Sequence, residues 1–285
     1  MKLILGTVQF GKKYGINNKT GKIDKGEVNN ILDFSWKKGI RTLDTAYSYG
    51  ESENIIGEFI KEHGENKFNV ISKLPKQGAN NIKHYLDKSL SRLSLNKLYG
   101  YLTHDMLAFN KNENLWNQML KLKDEGKVEK IGFSLYFPRE FSEAFKKGMK
   151  PDIVQIPFNI LDHRFIPLFK TMKDNNIEIH VRSVFLQGLV FKKTDGLNEF
   201  FDPLKPKLKY LRELSQSTGI SIASLCLNYA SLQKEIDNII IGIDSLENLK
   251  ENILYGKDAK NICPILDKLS SLKVDNEELI IPINW

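Results

Sequence analysis

An acid, a phenol, an amine and an imidazole stand at or just past the ends of short, β-branched apolar runs in this chain. Asp44 ends one such run, with Tyr49 five residues further on. Lys73 lies near the end of the next, and His104 closes the one after. Brought to one place, these residues suit proton delivery. A buried lysine costs several kcal/mol unless it is paired, and Asp44 is the carboxylate placed to pair with it. A cation beside a phenol favours the phenolate and lowers its pKa, so Tyr49 would give up a proton near neutral pH. His104 would hold the oxygen that receives it. The set contains no nucleophile and no metal cage, so the chemistry it suits is protonation of a carbonyl oxygen.

The elements that must position these residues follow an alternating pattern. Strands are expected over Leu3–Val8, Arg41–Ala46, Asn69–Leu74, Leu98–His104, Lys130–Leu135, Asp152–Phe158, Glu178–Val184 and Asn238–Ile243. Amphipathic helical stretches fit between them, at Lys25–Lys38, Ser52–His63, Asn80–Leu93, Asn114–Glu125, Pro138–Lys147, Arg164–Asn175, Leu204–Thr218 with Ile222–Ser231, and Leu246–Leu254. Gly39, Gly126 and Gly219 stand where a left-handed helix cap is wanted. Ser221 and Asp244-Ser245 are placed as N-caps. Eight βα units allow a closed parallel barrel or a doubly wound open sheet. No GxGxxG follows the first strand, which disfavours the open dinucleotide-binding sheet, and no linker or repeat divides residues 1–285. The expectation is one (β/α)8 TIM barrel with its site at the C-terminal ends of the strands. Ser134, Gln155, Arg182 and Ser183 share that end.

Composition narrows the setting. Of 285 residues, 41% are hydrophobic and 27% charged, ordinary for a globular chain. The formal charge is +7, but lysines are mixed with Asp and Glu and no basic run carries interleaved aromatics, so nucleic acid is not expected. The two cysteines, Cys226 and Cys263, lack CxxC spacing and point to a reducing compartment. The opening Met1–Thr7 lacks the apolar length of a signal peptide, and no run reaches the roughly 20 apolar residues of a membrane span. A cytoplasmic chain is expected, and the sequon Asn18-Lys19-Thr20 then carries no weight. Oligomeric state is open, with a monomer favoured.

Four motifs in order carry a resemblance. Leu5-Gly6-Thr7-Val8-Gln9-Phe10-Gly11 is similar to the first strand of the aldo-keto reductases. Leu43-Asp44-Thr45-Ala46-Tyr47-Ser48-Tyr49-Gly50, followed by Glu51-Ser52-Glu53 and Gly57, matches their most specific motif. Ser72-Lys73 and Leu102-Thr103-His104 match two further catalytic positions, and Gly126–Ser134 resembles the stretch after which cofactor contacts begin. The resemblance runs along essentially the whole chain. It implies that Tyr49 is the general acid, that Lys73 paired with Asp44 tunes it, and that His104 orients the carbonyl. A nicotinamide cofactor would lie extended across the barrel mouth. Ser134 and Gln155 would hold its carboxamide, with Gly6, Thr7 and Asp44 beneath. Gln187 and Gly188 would lie over the pyrophosphate. Ser245, Asn248, Glu251 and Asn252 would hold the adenosine end.

The sequence departs from the family pattern at three places. Leu135 replaces the usual Asn after Ser134. Arg182 stands where an aromatic residue usually stacks on the nicotinamide, so it meets either that ring or an acidic substrate. Gly242 and Asn248 occupy the expected basic positions for the 2′-phosphate, and Asp244 would repel one. NADPH is implied by the family and NADH competes. A polar carbonyl compound, such as a sugar or an acidic one, is the expected substrate. Two other functions stay open: a barrel that binds cofactor as a regulatory protein, and a hydrolase or lyase using Asp44 and Lys73 differently. Among the remaining residues, Tyr47 is read as packing or substrate wall. His63, His84 and His180 are placed on helix surfaces or at a strand start, and His163 in a loop. The apolar C-terminal end either seals the barrel or brings Trp285 to the pocket.

Overall fold

The computed structural model describes residues 2–285 except Asn17, Lys19, Thr20, Glu65, Asn66 and Asn110, and the backbone alone of Ile283. Met1 and two residues of the sequon therefore lie outside the described residues. Eight parallel strands close on themselves in sequence order. They are β1 (Leu3–Gly6), β2 (Thr42–Asp44), β3 (Asn69–Leu74), β4 (Leu98–Thr103), β5 (Val128–Ser134), β6 (Ile153–Pro157), β7 (Glu178–Arg182) and β8 (Asn238–Gly242). Pairing of β1 with β8, from Leu3↔Ile239 to Gly6↔Gly242, completes the ring. The chain is a (β/α)8 barrel.

Side chains alternate across each strand, and the register sorts the inward ones into layers. Ile4, Ile71, Leu102, Ile153 and Ile240 form an apolar plug inside the barrel. Two residues further along, the same face of β3 carries Lys73 and that of β6 carries Gln155. Asp44 stands opposite Gly6 and Ile71 in the ladder. Polar groups at the C-terminal end thus rest on a dry isoleucine and leucine floor. Below the plug, Lys130, Glu178, His180 and Asn238 bond one another. His180 is therefore an inward residue midway along β7, not a strand-start surface histidine.

Helices α2 (Lys25–Lys37), α3 (Ser52–His63), α4 (Ile82–Leu93), α5 (Leu115–Asp124), α6 (Pro138–Lys146), α7 (Ile166–Asp174), α8 (Lys205–Thr218), α9 (Ile222–Ser231) and α10 (Leu246–Tyr255) follow the expected order. Gly39, Gly126 and Gly219 all adopt positive φ, of 83°, 72° and 69°. Strand β1 stops at Gly6, and Val8–Gly11 forms a single turn, α1. Three short helices beyond α10, namely α11 (Ala259–Ile262), α12 (Leu266–Ser270) and α13 (Glu277–Ile280), are not foreshadowed by the strand–helix alternation. Trp285 packs edge-on to Phe201 at 5.2 Å, outside the cavity wall. His163 is buried, packed with Phe158 and Tyr229 in a cluster of three rings and bonded to the Tyr229 hydroxyl, so it belongs to the core.

Candidate active site

The barrel ends bring the expected acid, amine and amide together. Lys73, fully buried, donates from Nζ to Asp44 Oδ2 at 2.7 Å and to the Thr45 carbonyl at 2.9 Å. Gln155 Nε2 donates to the other Asp44 oxygen at 2.7 Å, reaching across the barrel from β6. Asp44 thus ties β2, β3 and β6 into one unit, and both carboxylate oxygens are satisfied. Burial pulls the Lys73 ammonium below the usual lysine range, while the facing Asp44 carboxylate works against that shift.

Tyr49 stands over this pair, with Lys73 Nζ 5.2 Å from its ring centroid. Its backbone is set by close packing against the β1 turn. A Cβ on Gly11 would lie 1.6 Å from the Tyr49 carbonyl oxygen, so only glycine allows the two segments to meet. Thr7 anchors the same corner, donating from both its amide and its hydroxyl to the Asp44 carbonyl. The phenol is not acidified as the sequence led us to expect. Burial pushes it above the ordinary tyrosine range and the Asp44 carboxylate adds to that, with Arg182 opposing. The reason is geometric. The Lys73 charge is answered by Asp44, and two of the three Lys73 protons go to Asp44 and Thr45. Tyr49 therefore keeps its proton throughout the neutral range.

His104 meets Tyr49 edge-on at 5.6 Å, with Nδ1 3.0 Å from the Ser48 hydroxyl. Burial first, then the charges of Lys73, Arg182 and Lys12, bring its pKa down to about 3. The ring is neutral. In the tautomer where Ser48 donates to Nδ1, Nε2 carries the proton and is a donor. A protonated phenol and a neutral imidazole thus sit side by side above a buried ion pair.

A cavity of about 680 Å³ opens beside Tyr49, within the size range of small-molecule sites. Its near end is lined by Gly6, Thr7, Asp44, Tyr49 and Gln155. Its middle is lined by Arg182, Ser183, Gln187 and Gly188, and its far end by Asn248, Glu251 and Asn252. Apart from Tyr49, these are residues the sequence assigns to a cofactor, and two of the assigned residues lie elsewhere. Ser134 is buried next to Gln155 in the ladder and does not line the cavity. Ser245 caps α10, its hydroxyl accepting from the Asn248 amide at 3.1 Å, and it lies outside the cavity wall. Arg182 is fixed by donation to the Leu135 carbonyl at 2.9 Å and the Ser183 hydroxyl at 3.3 Å, and it lies over the Tyr136 ring. The loop after it is held in left-handed backbone at Ser183, Leu186, Gln187 and Gly188.

The sequence reading missed Gln9, Tyr14 and Asn18 from the β1 loop, Phe191 after β7, and Ser221, Ile222 and Ala223 at the start of α9. The Gln187 side chain donates to the Tyr14 hydroxyl at 3.1 Å, so the β1 and β7 loops meet over the cavity. No periodicity signals a contact between loops so far apart in sequence. Two properties of this wall bear on a dinucleotide. Short and amide-bearing residues line its length, which fits an elongated ligand of ribose and carboxamide groups. Among the described lining residues Arg182 is the single cation, while Asp244 and Glu251 place carboxylates at the α10 end.

Comparison with known proteins agrees with this geometry. Uncharacterized oxidoreductase YqkF of Bacillus subtilis is 25% identical over 258 residues, covering 81% of this chain and 82% of that protein. L-galactose dehydrogenase of Arabidopsis thaliana is 25% identical over 268 residues, covering 86% and 79%. The holo form of aldo-keto reductase AKR11C1 from Bacillus halodurans superposes with a TM-score of 0.77 over 97% of this chain and 94% of that one, at 20% identity, a likeness of fold. Residues 2–261 match the profile of the Aldo/keto reductase family, a span that takes in every strand of the barrel and the whole of the Asp44, Tyr49, Lys73 and His104 cluster, and the chain belongs to that family.

Proposed function

We propose that this protein reduces the carbonyl of a polar small molecule to an alcohol, with Tyr49 as the proton donor. The observation that carries the reading is the pairing of a protonated phenol and a neutral imidazole above the Lys73–Asp44 ion pair, at the end of a cavity of about 680 Å³. A bound reduced nicotinamide supplies the hydride. His104 donates from Nε2 to the carbonyl oxygen and fixes its direction. Tyr49 delivers its proton to that oxygen as negative charge develops there. Lys73 lies close enough to favour that charge without leaving Asp44. Gln155 keeps Oε1 free for the cofactor carboxamide, since its nitrogen is held by Asp44.

For the cofactor we favour NADH, although the family resemblance alone implies NADPH. A 2′-phosphate at the α10 end would face Asp244 and Glu251 with no described lysine or arginine in the wall to answer it. Tyr49→Phe tests the reading. Turnover of aldehydes should fall by orders of magnitude while quenching titrations show cofactor still bound, NADH more tightly than NADPH. Ordinary turnover in the variant removes Tyr49 from its role. Tight cofactor binding by the native protein without turnover of any aldehyde, ketone or sugar would mark a binding protein instead.

A further inference from the structure

Two cations at the barrel mouth lack an anionic partner among the described residues. Lys12, just past α1, donates from Nζ to the Ser48 carbonyl at 2.9 Å and lies 5.7 Å from the Tyr49 ring centroid. Arg182 is held by the Leu135 carbonyl and the Ser183 hydroxyl. Every one of these acceptors is neutral. Neither side chain takes part in an ion pair among the described residues, whereas Lys73, the third cation of the mouth, is fully matched by Asp44. Lys12 and Arg182 are thus positioned by the fold but not neutralised by it.

That arrangement has a cost unless something anionic arrives. Fixed like charges in a partly enclosed mouth raise the local potential and draw anions in. The effect already reaches His104, whose ring is disfavoured as a cation by burial first and then by Lys73, Arg182 and Lys12. Lys12 bonds Ser48, whose hydroxyl meets His104, and is not part of the long cavity wall that leads to α10. An anion it holds therefore belongs to the molecule being reduced rather than to the adenosine end of a cofactor.

We infer that Lys12, together with Arg182 at the same mouth, selects a short aldehyde or ketone that carries its own carboxylate or phosphate close to the carbonyl. This rests on the proposed reductase reading and names its substrate class. Lys12 retains two ammonium protons beyond the one given to Ser48, enough for a charge-assisted bond to an anionic oxygen. The nearness of its ammonium to the Tyr49 ring keeps the anion and the reacting carbonyl within a few bonds of each other. Lys12 is a specificity-determining residue in this scheme, and Tyr49 and His104 remain the groups that meet the carbonyl oxygen.

The test compares matched probes at saturating reduced cofactor: 4-oxobutanoate against butanal, and glyceraldehyde 3-phosphate against glyceraldehyde. Bonds to a charged group are worth about ten- to a hundredfold, so kcat/KM should favour at least one charged probe by that factor. Which pair shows it separates a carboxylate from a phosphate. In Lys12→Met the charged-to-neutral ratio should fall about tenfold, and Lys12→Arg should restore most of it. Cofactor titration of both variants should match the parent protein and show that the mouth is intact. Equal kcat/KM within both pairs, or a ratio unchanged in Lys12→Met, overturns the inference while leaving the reductase reading in place. Bound cofactor without turnover of any of the probes defeats the reductase reading and this inference with it.

Discussion

Asp44→Asn probes the central pair directly, and its consequences can be worked from the geometry. The substitution leaves the Lys73 ammonium in a site where its side chain is 1% exposed, with the Thr45 carbonyl as its remaining strong acceptor. An Asn oxygen can accept from Lys73 or from Gln155, but its amide nitrogen then faces a donor. Breaking a buried pair by removing one partner costs about 3–5 kcal/mol, a large share of the 5–15 kcal/mol that typically holds a domain together. The penalty should depend on pH in a way that identifies its origin. Burial already pulls the Lys73 pKa down, and without Asp44 it falls further. In the variant the folded state then holds a neutral amine while the unfolded chain still binds a proton. Stability of the variant relative to the parent therefore rises with pH, by at most about 1.4 kcal/mol per unit up to the unfolded lysine pKa. The assay is urea unfolding of the parent, Asp44→Asn, Lys73→Met and the double variant at pH 7 and pH 9. Asp44→Asn should recover part of its deficit at pH 9, and the double variant, which removes both charges, should lose less than the two single losses added. An Asp44→Asn deficit below about 1 kcal/mol, or strict additivity in the cycle, would refute the claim that a desolvated ion pair organises the mouth. Should a single variant fail to fold, a folded double variant alone would still support the coupling.

Two further outcomes follow from the same geometry. Gly11→Ala should cost about 3 kcal/mol or more and lower turnover, because the new methyl meets the Tyr49 carbonyl at 1.6 Å and the Ser52 amide at 2.6 Å, both backbone. Gly196→Ala, with nothing within 4 Å, should stay within about 0.5 kcal/mol of the parent by thermal unfolding. On acidification the protein should lose stability in two windows. His104 and His163, held near pKa values of about 3 and about 4 against an ordinary 6.5, are neutral in the fold and charged in the unfolded chain, so stability falls as pH drops from 6.5 towards those values. Glu178, depressed to about 2 by its bonds to His180 and Lys130 against burial, adds a loss as pH drops from 4.5 towards 2. The histidine window contributes at most about 1.4 kcal/mol per unit for each ring, less for the partly exposed His104. A denaturation midpoint that does not move between pH 7 and pH 4.5 would contradict it.

The barrel was legible because short apolar, often β-branched runs such as Asn238–Gly242 alternate along the chain with longer amphipathic ones. Asp44, Lys73 and Gln155 were legible because strand ends in such a barrel face one mouth. Other features depend on contacts that carry no local signal. Ser245 fits an N-cap and a phosphate ligand equally well in sequence, and the Asn248 amide at 3.1 Å shows the cap formed. His180 reads as a strand residue without a face, and the register of β7 against β6 and β8 turns it inward. Lys12 and Tyr14 lie in a loop with no period, and their place beside the site follows from the Gly11 contact and from the Gln187 bond across the mouth. The phenol's pKa was misjudged for a related reason. Its shift depends on how closely the fold encloses the ring and on whether Lys73 has charge to spare.

That last point changes the division of labour within the cluster. A phenol raised above its ordinary range is a poor acid towards water but a secure store for a proton, and it needs an acceptor that becomes basic only as the reaction proceeds. A carbonyl oxygen is such an acceptor on the proposed reading, being neutral at the start and anionic as it is reduced. Cations placed near that oxygen do little for the neutral substrate and much for the developing charge, and this differential is what lowers a barrier. Lys73 then serves less by acidifying Tyr49 than by standing near an oxygen that is turning negative. Asp44 keeps that ammonium in a place where it would otherwise shed its proton. Lys12 and Arg182 lie at the same mouth without counter-charges, so the positive potential there does not depend on the central pair alone. Reduction should accordingly weaken as ionic strength rises, since screening reaches the exposed Lys12 well before it reaches the buried Lys73.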